Sequence, residues 1–91
     1  MNNKIDAIAD TLRTIGHEHH RAFVMVNGAD PDWAHWYAAK LGPELTDKLA
    51  VTLSVEELTG LLPLLEKERT LRAPERDWAQ FYAEAIVKSF G

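Results

Sequence analysis

The chain has 91 residues, of which 46% are hydrophobic and 26% are charged, and it has no cysteine. This length predicts a single domain over residues 1–91, because a chain of this size builds one hydrophobic core. The lack of cysteine excludes disulfides, thiolate catalysis and cysteine-ligated metal sites. The formal charge of −4 and the scattered basic residues disfavour nucleic acid as a partner, because phosphate binding draws on clustered positive charge.

The apolar residues are distributed in a way that indicates neither a signal peptide nor a membrane span. Charged residues interrupt the N-terminal segment before it reaches the length of a signal-peptide core. No segment approaches the roughly 20 apolar residues that a spanning helix needs. We therefore expect a cytoplasmic protein without a membrane partner.

A first amphipathic helix is predicted from Lys4 to about Val26, with Asn27 and Gly28 as its C-terminal stop. Its apolar residues recur at spacings of three and four. They are Ile5, Ile8, Leu12, Ile15, Phe23 and Val26, with His19 and Ala22 in the same seam. The opposite, solvent-facing side is predicted to carry Asp6, Asp10, Arg13, Thr14, His17 and Arg21.

A second helix is predicted to begin at Asp30 and Pro31, since aspartate caps free backbone amides and proline suits the first helical position. It is expected to run to about Leu41 and to stop at Gly42 and Pro43. Its predicted apolar face consists of Trp33, Trp36, Tyr37 and Leu41. Pro43 is interpreted as opening a short connecting helix through Glu44, Leu45 and Leu49.

The next helix is predicted from a capping box, in which Ser54 and Glu57 satisfy each other's backbone amides. Pro63 predicts a kink or a short break near Thr59, because proline removes one helical hydrogen bond. Residues 66–69, which read EKER, are interpreted as a solvated run. Glu68 and Arg72 stand at ion-pair spacing. The leucines of the first half, spread over a wide arc, are Leu58, Leu61, Leu62, Leu64 and Leu65.

Pro74 is predicted to open the last helix, which runs to about Phe90. No segment shows the sustained alternation of a strand. The predicted fold class is therefore all-α: a compact bundle of four main helices plus a short connecting helix.

Two segments of the chain are nearly the same, 45 positions apart: residues 32–38 read DWAHWYA and residues 77–83 read DWAQFYA. Five of the ten aligned positions from residue 32 onward are identical. We interpret the two copies as helices that solve the same packing problem, with internal duplication as the alternative.

The matched aromatic residues favour a role in the core, since each such ring buries on the order of 150–250 Å². The alternative is a cleft for a flat apolar ligand, oriented by the tyrosine hydroxyls. Asp32 and Asp77 are interpreted as helix caps rather than as a catalytic pair. The candidate pocket residues are Trp33, Trp36, Tyr37, Trp78 and Tyr82, together with Phe81.

One cluster of potential metal ligands lies in the first helix, at His17, Glu18, His19 and His20. His17 and His20 are neighbours on one face, whereas His19 points to the opposite side. A third ligand would have to come from His35 or Glu18, because zinc and iron generally require three or four ligands.

The charges around this cluster favour a solvated face over a metal site. Arg13 and Arg21 stand four residues on either side of His17 and raise the potential where a cation would bind. We therefore expect no cofactor, and a site at His17, His20 and His35 is kept as the alternative. His19 is interpreted as a core histidine whose ring nitrogens are hydrogen-bonded.

Catalytic motifs give no positive signal. The five glycines stand alone, so there is no phosphate loop. Ser54 and Ser89 have no histidine nearby in the sequence. An enzyme is neither indicated nor excluded.

The leading hypothesis is a non-enzymatic helical domain that associates with itself, as a homodimer, or with another protein. Val24, Val87 and Phe90 fall off the main apolar stripes and would supply the interface. The alternative is a protein that binds a small molecule or metal, or an enzyme, built on the His17, His20 and His35 region and the Trp and Tyr helices.

The segments HRAF at residues 20–23, GADPDW at 28–33, WYA at 36–38, DW at 77–78 and FYA at 81–83 resemble a group of small bacterial proteins. The resemblance covers most of the chain. In that group proline often follows the two tryptophans, whereas this chain has Ala34 and Ala79. The resemblance implies a bacterial, helical, free-standing domain. It transfers no catalytic residue, because no activity is established for the group.

Overall fold

The computed structural model describes residues 3–23 and 32–90, and it forms four helices over these ranges. They are α1 (Asn3–Phe23), α2 (Trp33–Leu49), α3 (Val55–Arg72) and α4 (Trp78–Phe90). No strand occurs within these two ranges, so the predicted all-α fold class is confirmed. None of the helices formed by these residues combines the length and the apolar character that a membrane crossing requires.

The helices form an antiparallel bundle in which each helix packs against its neighbours in the sequence and α1 closes the ring against α4. The helices with the repeated motif, α2 and α4, therefore occupy diagonal corners. Both begin at the end of the bundle where α3 finishes. The two copies of the motif thus meet at one end of the molecule.

The core is made mainly of aliphatic side chains and small alanines. Ala34 and Ala38 on α2 are buried, as are the equivalent Ala79 and Ala83 on α4. These small side chains allow close approach of neighbouring helices. The largest fully buried side chains are Ile8, Leu12, Leu41, Leu45, Leu58, Leu62 and Ile86.

The predicted orientation of α1 is confirmed in its central part. Ile8, Leu12 and Ile15 are buried, and the six residues of the predicted solvent face are exposed. Ala22, which was predicted to lie in the apolar seam, is exposed. The predicted stop at Asn27 and Gly28 lies outside the described residues, as do the start at residues 30–31 and the side chains of Phe23, Val24 and Val26.

The predicted end of α2 at Gly42 and Pro43 is wrong, because α2 continues to Leu49. The expected connecting helix is therefore the second half of α2. Proline removes one helical hydrogen bond, but Leu41, Leu45 and Leu49 are all buried in the core and hold the helix in place. Gly42 is buried too, and a Cβ built there would lie 3.7 Å from both the Leu53 carbonyl oxygen and Leu58 Cδ1.

The predicted capping box at the start of α3 is confirmed. The Glu57 amide donates to Ser54 Oγ at 3.0 Å, and the Ser54 amide donates to Glu57 Oε1 at 3.1 Å. The expected break near Thr59 is absent, since α3 runs without interruption through Pro63 to Arg72. Pro63 is exposed, and buried Leu58 and Leu62 anchor the helix on its other side.

The last helix begins at Trp78, later than predicted, because Pro74 lies in a turn before it. Asp77 caps α4, as its carboxylate accepts a hydrogen bond from the Gln80 amide at 3.1 Å. The same carboxylate pairs with Arg13 of α1 at 2.5 Å. Asp32 occupies the matching position before α2, but its side chain makes no capping hydrogen bond, so the predicted cap is confirmed for Asp77 alone.

Candidate functional site

An open cavity of about 350 Å³ lies at the end of the bundle where α2 and α4 begin. We call it the aromatic pocket. It contains four of the six pocket candidates named from the sequence, whereas Trp36 and Phe81 do not line it. Its lining residues are Trp33 and Tyr37 from α2, Glu66 and Arg69 from α3, and Trp78 and Tyr82 from α4.

The four rings of the pocket occupy equivalent positions in the two copies of the motif, because Trp33 corresponds to Trp78 and Tyr37 to Tyr82. In each copy the two residues are four apart, so they share one helix face. The ring centroids of Trp33 and Tyr37 are 5.8 Å apart at an interplanar angle of 85°. Those of Trp78 and Tyr82 are 5.5 Å apart at 75°. The repeat therefore builds the same edge-to-face pair twice.

A third contact joins the two pairs. The rings of Tyr37 and Trp78 are 6.0 Å apart at 80°. Successive rings along the series Trp33, Tyr37, Trp78 and Tyr82 therefore stand nearly perpendicular to one another. They form the walls of a common space instead of a stack.

The interpretation of the aromatic residues as the bundle core is correct for Tyr82 alone, which is 3% exposed. The other five rings are half-buried and pack against the core from its edge. The buried positions of the two motif copies are taken by Ala34, Ala38, Ala79 and Ala83 together with Tyr82. The five edge residues are Trp33, Trp36, Tyr37, Trp78 and Phe81.

A hydrogen-bonded group of polar side chains completes the pocket. The Tyr82 hydroxyl donates to Glu66 Oε1 at 2.8 Å. Arg69 donates to the same carboxylate from Nε at 2.9 Å and from Nη2 at 2.7 Å. The Arg69 hydrogen bond, more than that of Tyr82, lowers the pKa of Glu66, although partial burial opposes this. Glu66 is therefore ionised at neutral pH.

The Arg69 guanidinium is also committed to the backbone. Its Nη1 donates to the carbonyl oxygen of Pro74 at 3.1 Å and to that of Arg76 at 3.4 Å. These carbonyls belong to the turn between α3 and α4. Arg69 thus fixes the turn that places Trp78, and few of its N–H groups remain for a ligand.

The two tyrosines of the pocket differ in their hydrogen bonding. Within residues 3–23 and 32–90, the Tyr37 hydroxyl has no hydrogen-bond partner, whereas that of Tyr82 is bonded to Glu66. Burial raises the pKa of Tyr37 above its ordinary value of 10.0. Burial, followed by the bond to Glu66, raises the pKa of Tyr82 as well. Both phenols are neutral at neutral pH, and Tyr37 can donate to or accept from a ligand.

Gly16 of α1 lies close to the side chains of Tyr37 and Trp78, which line the aromatic pocket. A Cβ built on Gly16 would lie 3.1 Å from Trp78 Cζ2 and 3.5 Å from the Tyr37 hydroxyl oxygen. Arg13, Gly16 and His17 line a second cavity, of about 340 Å³, with the same two rings. Glycine at this position therefore lets α1 support both rings.

The histidines do not converge on a metal site. Among residues 3–23 and 32–90, no group of three or more His, Asp or Glu side chains is placed to hold an ion. His17, His20 and His35 are exposed, and they do not form such a group. His19 is half-buried and not fully buried as expected, with its ring 5.2 Å from that of Trp36 and 5.3 Å from that of Tyr37.

Comparison of the chain with protein-family models, with curated proteins and with solved structures found no match. The resemblance to a group of small bacterial proteins therefore stays a prediction.

Glu66 and Arg69 are the pocket residues that the sequence reasoning missed. The sequence predicts a solvated run over residues 66–69, yet both residues are half-buried. Their spacing of three predicts an ion pair along the helix, and this spacing is equally typical of a solvent face. In the same run, the predicted pair between Glu68 and Arg72 is confirmed at 3.3 Å.

Proposed function

We propose that the protein binds a small organic molecule in the aromatic pocket. One observation carries this proposal: equivalent residues of the two motif copies converge on one cavity beside an ionised carboxylate. If the repeat served only to pack the helices, the buried alanines would be sufficient and the Trp and Tyr pair would not be needed. The half-buried rings instead leave apolar surface around an open space, which is the usual composition of a ligand site.

The size of the cavity limits the ligand. Its volume of about 350 Å³ lies at the lower end of the range of about 300–1,000 Å³ that is typical of ligand pockets. A ligand of this size would fill the space between the rings. Tyr37 and Glu66 would orient it through hydrogen bonds.

The polar groups of the pocket favour binding over catalysis. Tyr82 and Arg69 both donate to Glu66, so the carboxylate is ionised and its partners are fixed. Both tyrosines keep their protons at neutral pH and so cannot serve as general bases there. We therefore propose a non-enzymatic role.

Thermal unfolding with a library of small organic compounds tests the proposal. A ligand at about 100 times its Kd stabilises the native state by about 2.7 kcal/mol. For a domain of this size this corresponds to a rise in Tm of about 10–20 °C. We expect at least one compound to raise the Tm of the wild type and to lose most of this effect in Trp33→Leu and Trp78→Leu.

The repeat supplies matched controls for this experiment. Trp36 and Phe81 are equivalent to each other and half-buried, but neither lines the aromatic pocket. Trp36→Leu and Phe81→Leu should therefore keep the ligand effect. Compounds that stabilise all four variants equally would show that the aromatic pocket is not the site, and a library without any stabilising compound would rule out the proposed function.

Self-association through the outer face of α3 is a second candidate function, and its partner is a second copy of this chain. Leu64 is 61% exposed and Leu71 is 74% exposed. Phe90 is 38% exposed and lines an apolar groove of about 420 Å³ with Leu64. Of the residues predicted to supply an interface, Phe90 is thus available, Val87 is buried, and Val24 lies outside the described residues.

The charges between the two leucines are self-complementary. Lys67 and Glu68 lie between Leu64 and Leu71 and line a groove with them. In an antiparallel pairing of two α3 helices, Leu64 of one copy lies against Leu71 of the other, and Lys67 lies against Glu68. The same patch then serves both copies, as a twofold interface requires.

Sedimentation velocity over a range of concentrations tests the dimer. Lys67→Glu should weaken it, because two carboxylates would face each other, and the double variant Lys67→Glu/Glu68→Lys should restore it. Leu64→Lys should abolish it. A wild type that stays monomeric at about 1 mM, where a typical weak dimer is populated, would rule out this function.

The basic residues support a partner other than nucleic acid. Among residues 3–23 and 32–90, at least five of the Lys and Arg side chains form salt bridges with carboxylates, which lowers the positive potential that a phosphate backbone would meet. The paired residues are Arg13, Lys48, Arg69, Arg72 and Arg76.

A further inference from the structure

We propose that the ligand of the aromatic pocket is an organic cation that carries a quaternary ammonium group. This inference rests on the proposed function of the pocket and deepens it.

Four aromatic rings line the cavity, of which those of Trp33, Tyr37 and Trp78 are half-buried and that of Tyr82 is 3% exposed. A cation is attracted to the face of an aromatic ring when it lies within about 6 Å of the centroid, and tryptophan attracts it best. Successive pocket rings are inclined by 75° to 85°. Because they are walls and not a stack, a compact, roughly spherical group can contact more than one of them. A trimethylammonium group has this shape.

In each motif copy, the aromatic ring that does not line the pocket is already in contact with a cationic side chain of this protein. Lys40 Nζ lies 5.1 Å from the centroid of the Trp36 ring. The Arg76 guanidinium lies 5.9 Å from that of Phe81, which is the equivalent position in the other copy. Over residues 3–23 and 32–90, no Lys or Arg lies over the four pocket rings. Their faces are thus unoccupied by an internal cation.

Glu66 provides negative charge at the wall of the pocket. A carboxylate offers about four acceptor positions, and the bonds from Arg69 and Tyr82 use three of them. The carboxylate therefore still attracts a cation. Arg69 balances the charge of Glu66. The carboxylate alone would therefore not select the ligand, and the rings and the carboxylate would do so together.

An anion would bind less well than a cation. Arg69 is the cationic side chain of the pocket lining, and its donors are directed to Glu66 and to the carbonyls of Pro74 and Arg76. A carboxylate or phosphate ligand would have to displace these partners. It would also meet the negative faces of the rings and the charge of Glu66.

A primary ammonium would also bind less well than a quaternary one. It has three N–H donors, and each one removed from water needs an acceptor. Among the described lining residues, the acceptors on offer are the remaining position of Glu66 and the Tyr37 hydroxyl. A quaternary ammonium has no N–H group and interacts through its methyl groups with the ring faces.

Isothermal titration calorimetry with choline and its neutral isostere, 3,3-dimethylbutan-1-ol, tests the proposal. The two compounds have the same shape and differ in the charge on one atom. We expect choline to bind at least about tenfold more tightly, since cation–π contacts act only on the charged compound. Tetramethylammonium chloride should compete with choline for the same site.

Variants locate the binding. Trp33→Leu and Trp78→Leu should each weaken choline binding by about fivefold or more, whereas the matched Trp36→Leu and Phe81→Leu should leave it unchanged. Glu66→Gln should weaken binding of choline but not that of the neutral alcohol. Circular dichroism establishes that each variant is folded before it is compared.

The outcomes separate this inference from the proposed function. If the alcohol binds as tightly as choline, or if only neutral compounds of the library stabilise the protein, the proposal of a cationic ligand is wrong. The pocket would still be a ligand site. If no compound of either kind binds, both proposals fail. Choline binding that is insensitive to Trp33→Leu and Trp78→Leu overturns the cation proposal for this pocket.

The same headgroup can come from a free solute or from a lipid. Sedimentation with phosphatidylcholine vesicles, competed by free choline, would support recognition of the quaternary ammonium on a lipid. Binding of free choline without vesicle binding would support a solute. Equal sedimentation with phosphatidylglycerol vesicles, which lack this group, would contradict the proposal.

Discussion

The hydroxyl of Tyr82 on α4 donates a hydrogen bond to the Glu66 carboxylate on α3, with 2.8 Å between the two oxygens. This contact joins the repeated motif to the helix that supplies the polar side of the pocket. It also links the ionisation of the two groups, since the bond lowers the pKa of Glu66 and raises that of Tyr82. The position of the Tyr82 ring and the charge beside it are therefore set together.

Removal of this hydroxyl should destabilise the protein. Tyr82→Phe should lower the free energy of unfolding by about 0.5–1.5 kcal/mol, the usual contribution of one hydrogen bond. It should also raise the pKa of Glu66. Urea unfolding measures the first effect and an NMR titration the second. Tyr37→Phe is the matched control, because among the described residues the Tyr37 hydroxyl has no hydrogen-bond partner, and a loss as large as that of Tyr82→Phe would contradict the assignment.

Acid should destabilise the fold through three carboxylates. In the folded protein, a hydrogen bond from Arg69 lowers the pKa of Glu66. A hydrogen bond from Arg13 lowers the pKa of Asp77, and one from Arg76 lowers that of Glu84. A carboxylate with a lowered folded pKa stabilises the protein above its unfolded pKa, and this contribution is lost as pH falls through the folded value. The three carboxylates are Glu66, Asp77 and Glu84.

The contribution of these groups should be level down to about pH 5 and should fall at lower pH. Glu66, Asp77 and Glu84 are 37%, 47% and 38% exposed, so solvent screening reduces the contribution of all three. Urea midpoints measured between about pH 7 and pH 3 test this dependence. Glu66→Gln should make the acid slope shallower, and an unchanged slope in this variant would contradict the role of Glu66.

Alkaline pH should also destabilise the fold, through the two tyrosines of the chain. Both pKa values are raised above 10.0 in the folded protein, mainly by burial. Their contribution to stability is complete below the unfolded pKa and is lost as pH rises through the folded values. A rapid spectrophotometric titration of the native protein should show no phenol with a midpoint at or below 10.0. Tyr37→Phe should leave only the transition at higher pH, which belongs to Tyr82.

Two helical glycines should respond differently to alanine. Gly60 has no atom within 4 Å of a built Cβ, so Gly60→Ala should stabilise the protein by about 0.5–1 kcal/mol through helix propensity. At Gly16 the same Cβ would lie 3.1 Å from Trp78 Cζ2, and the ring would have to shift. Gly16→Ala should therefore gain less stability than Gly60→Ala and should weaken ligand binding, as urea unfolding and calorimetry can measure. Equal gains from the two substitutions would show that α1 does not press against Trp78.

The sequence predicts the helices well where one face alone is apolar. In α1 the buried Ile8, Leu12 and Ile15 alternate with exposed polar residues, so the pattern has one interpretation. The capping box at Ser54 and Glu57 is similarly local, and its two hydrogen bonds form as predicted. These features depend on short stretches of chain and need no knowledge of the neighbouring helices.

The sequence does not predict which side of the repeated motif faces the core. In each copy one side carries the two alanines and the adjacent side carries the Trp and Tyr pair, and both sides are apolar. Burial of rings maximises the apolar area per residue, which favours the aromatic side. The structure instead buries Ala34 and Ala38, and Trp33 and Tyr37 pack against the core from its edge.

Two other features depend on contacts between distant segments. The dipeptide Gly42 and Pro43 usually ends a helix, but burial of the flanking leucines keeps α2 continuous. Glu66 and Arg69 resemble a surface ion pair until Tyr82 of α4 is placed beside them. In both cases the local pattern is ambiguous and tertiary packing decides.

A two-dimensional proton–nitrogen correlation spectrum tests the central claim most directly, because the chain has three tryptophans and each indole N–H gives its own signal. Single Trp→Phe variants assign the three signals, and a stabilising compound is then titrated into the wild type. We predict that the signals of Trp33 and Trp78 shift together along one binding curve while that of Trp36 stays in place. A compound that shifts Trp36 as strongly, or only one of the equivalent pair, would contradict a single pocket built by both copies of the motif.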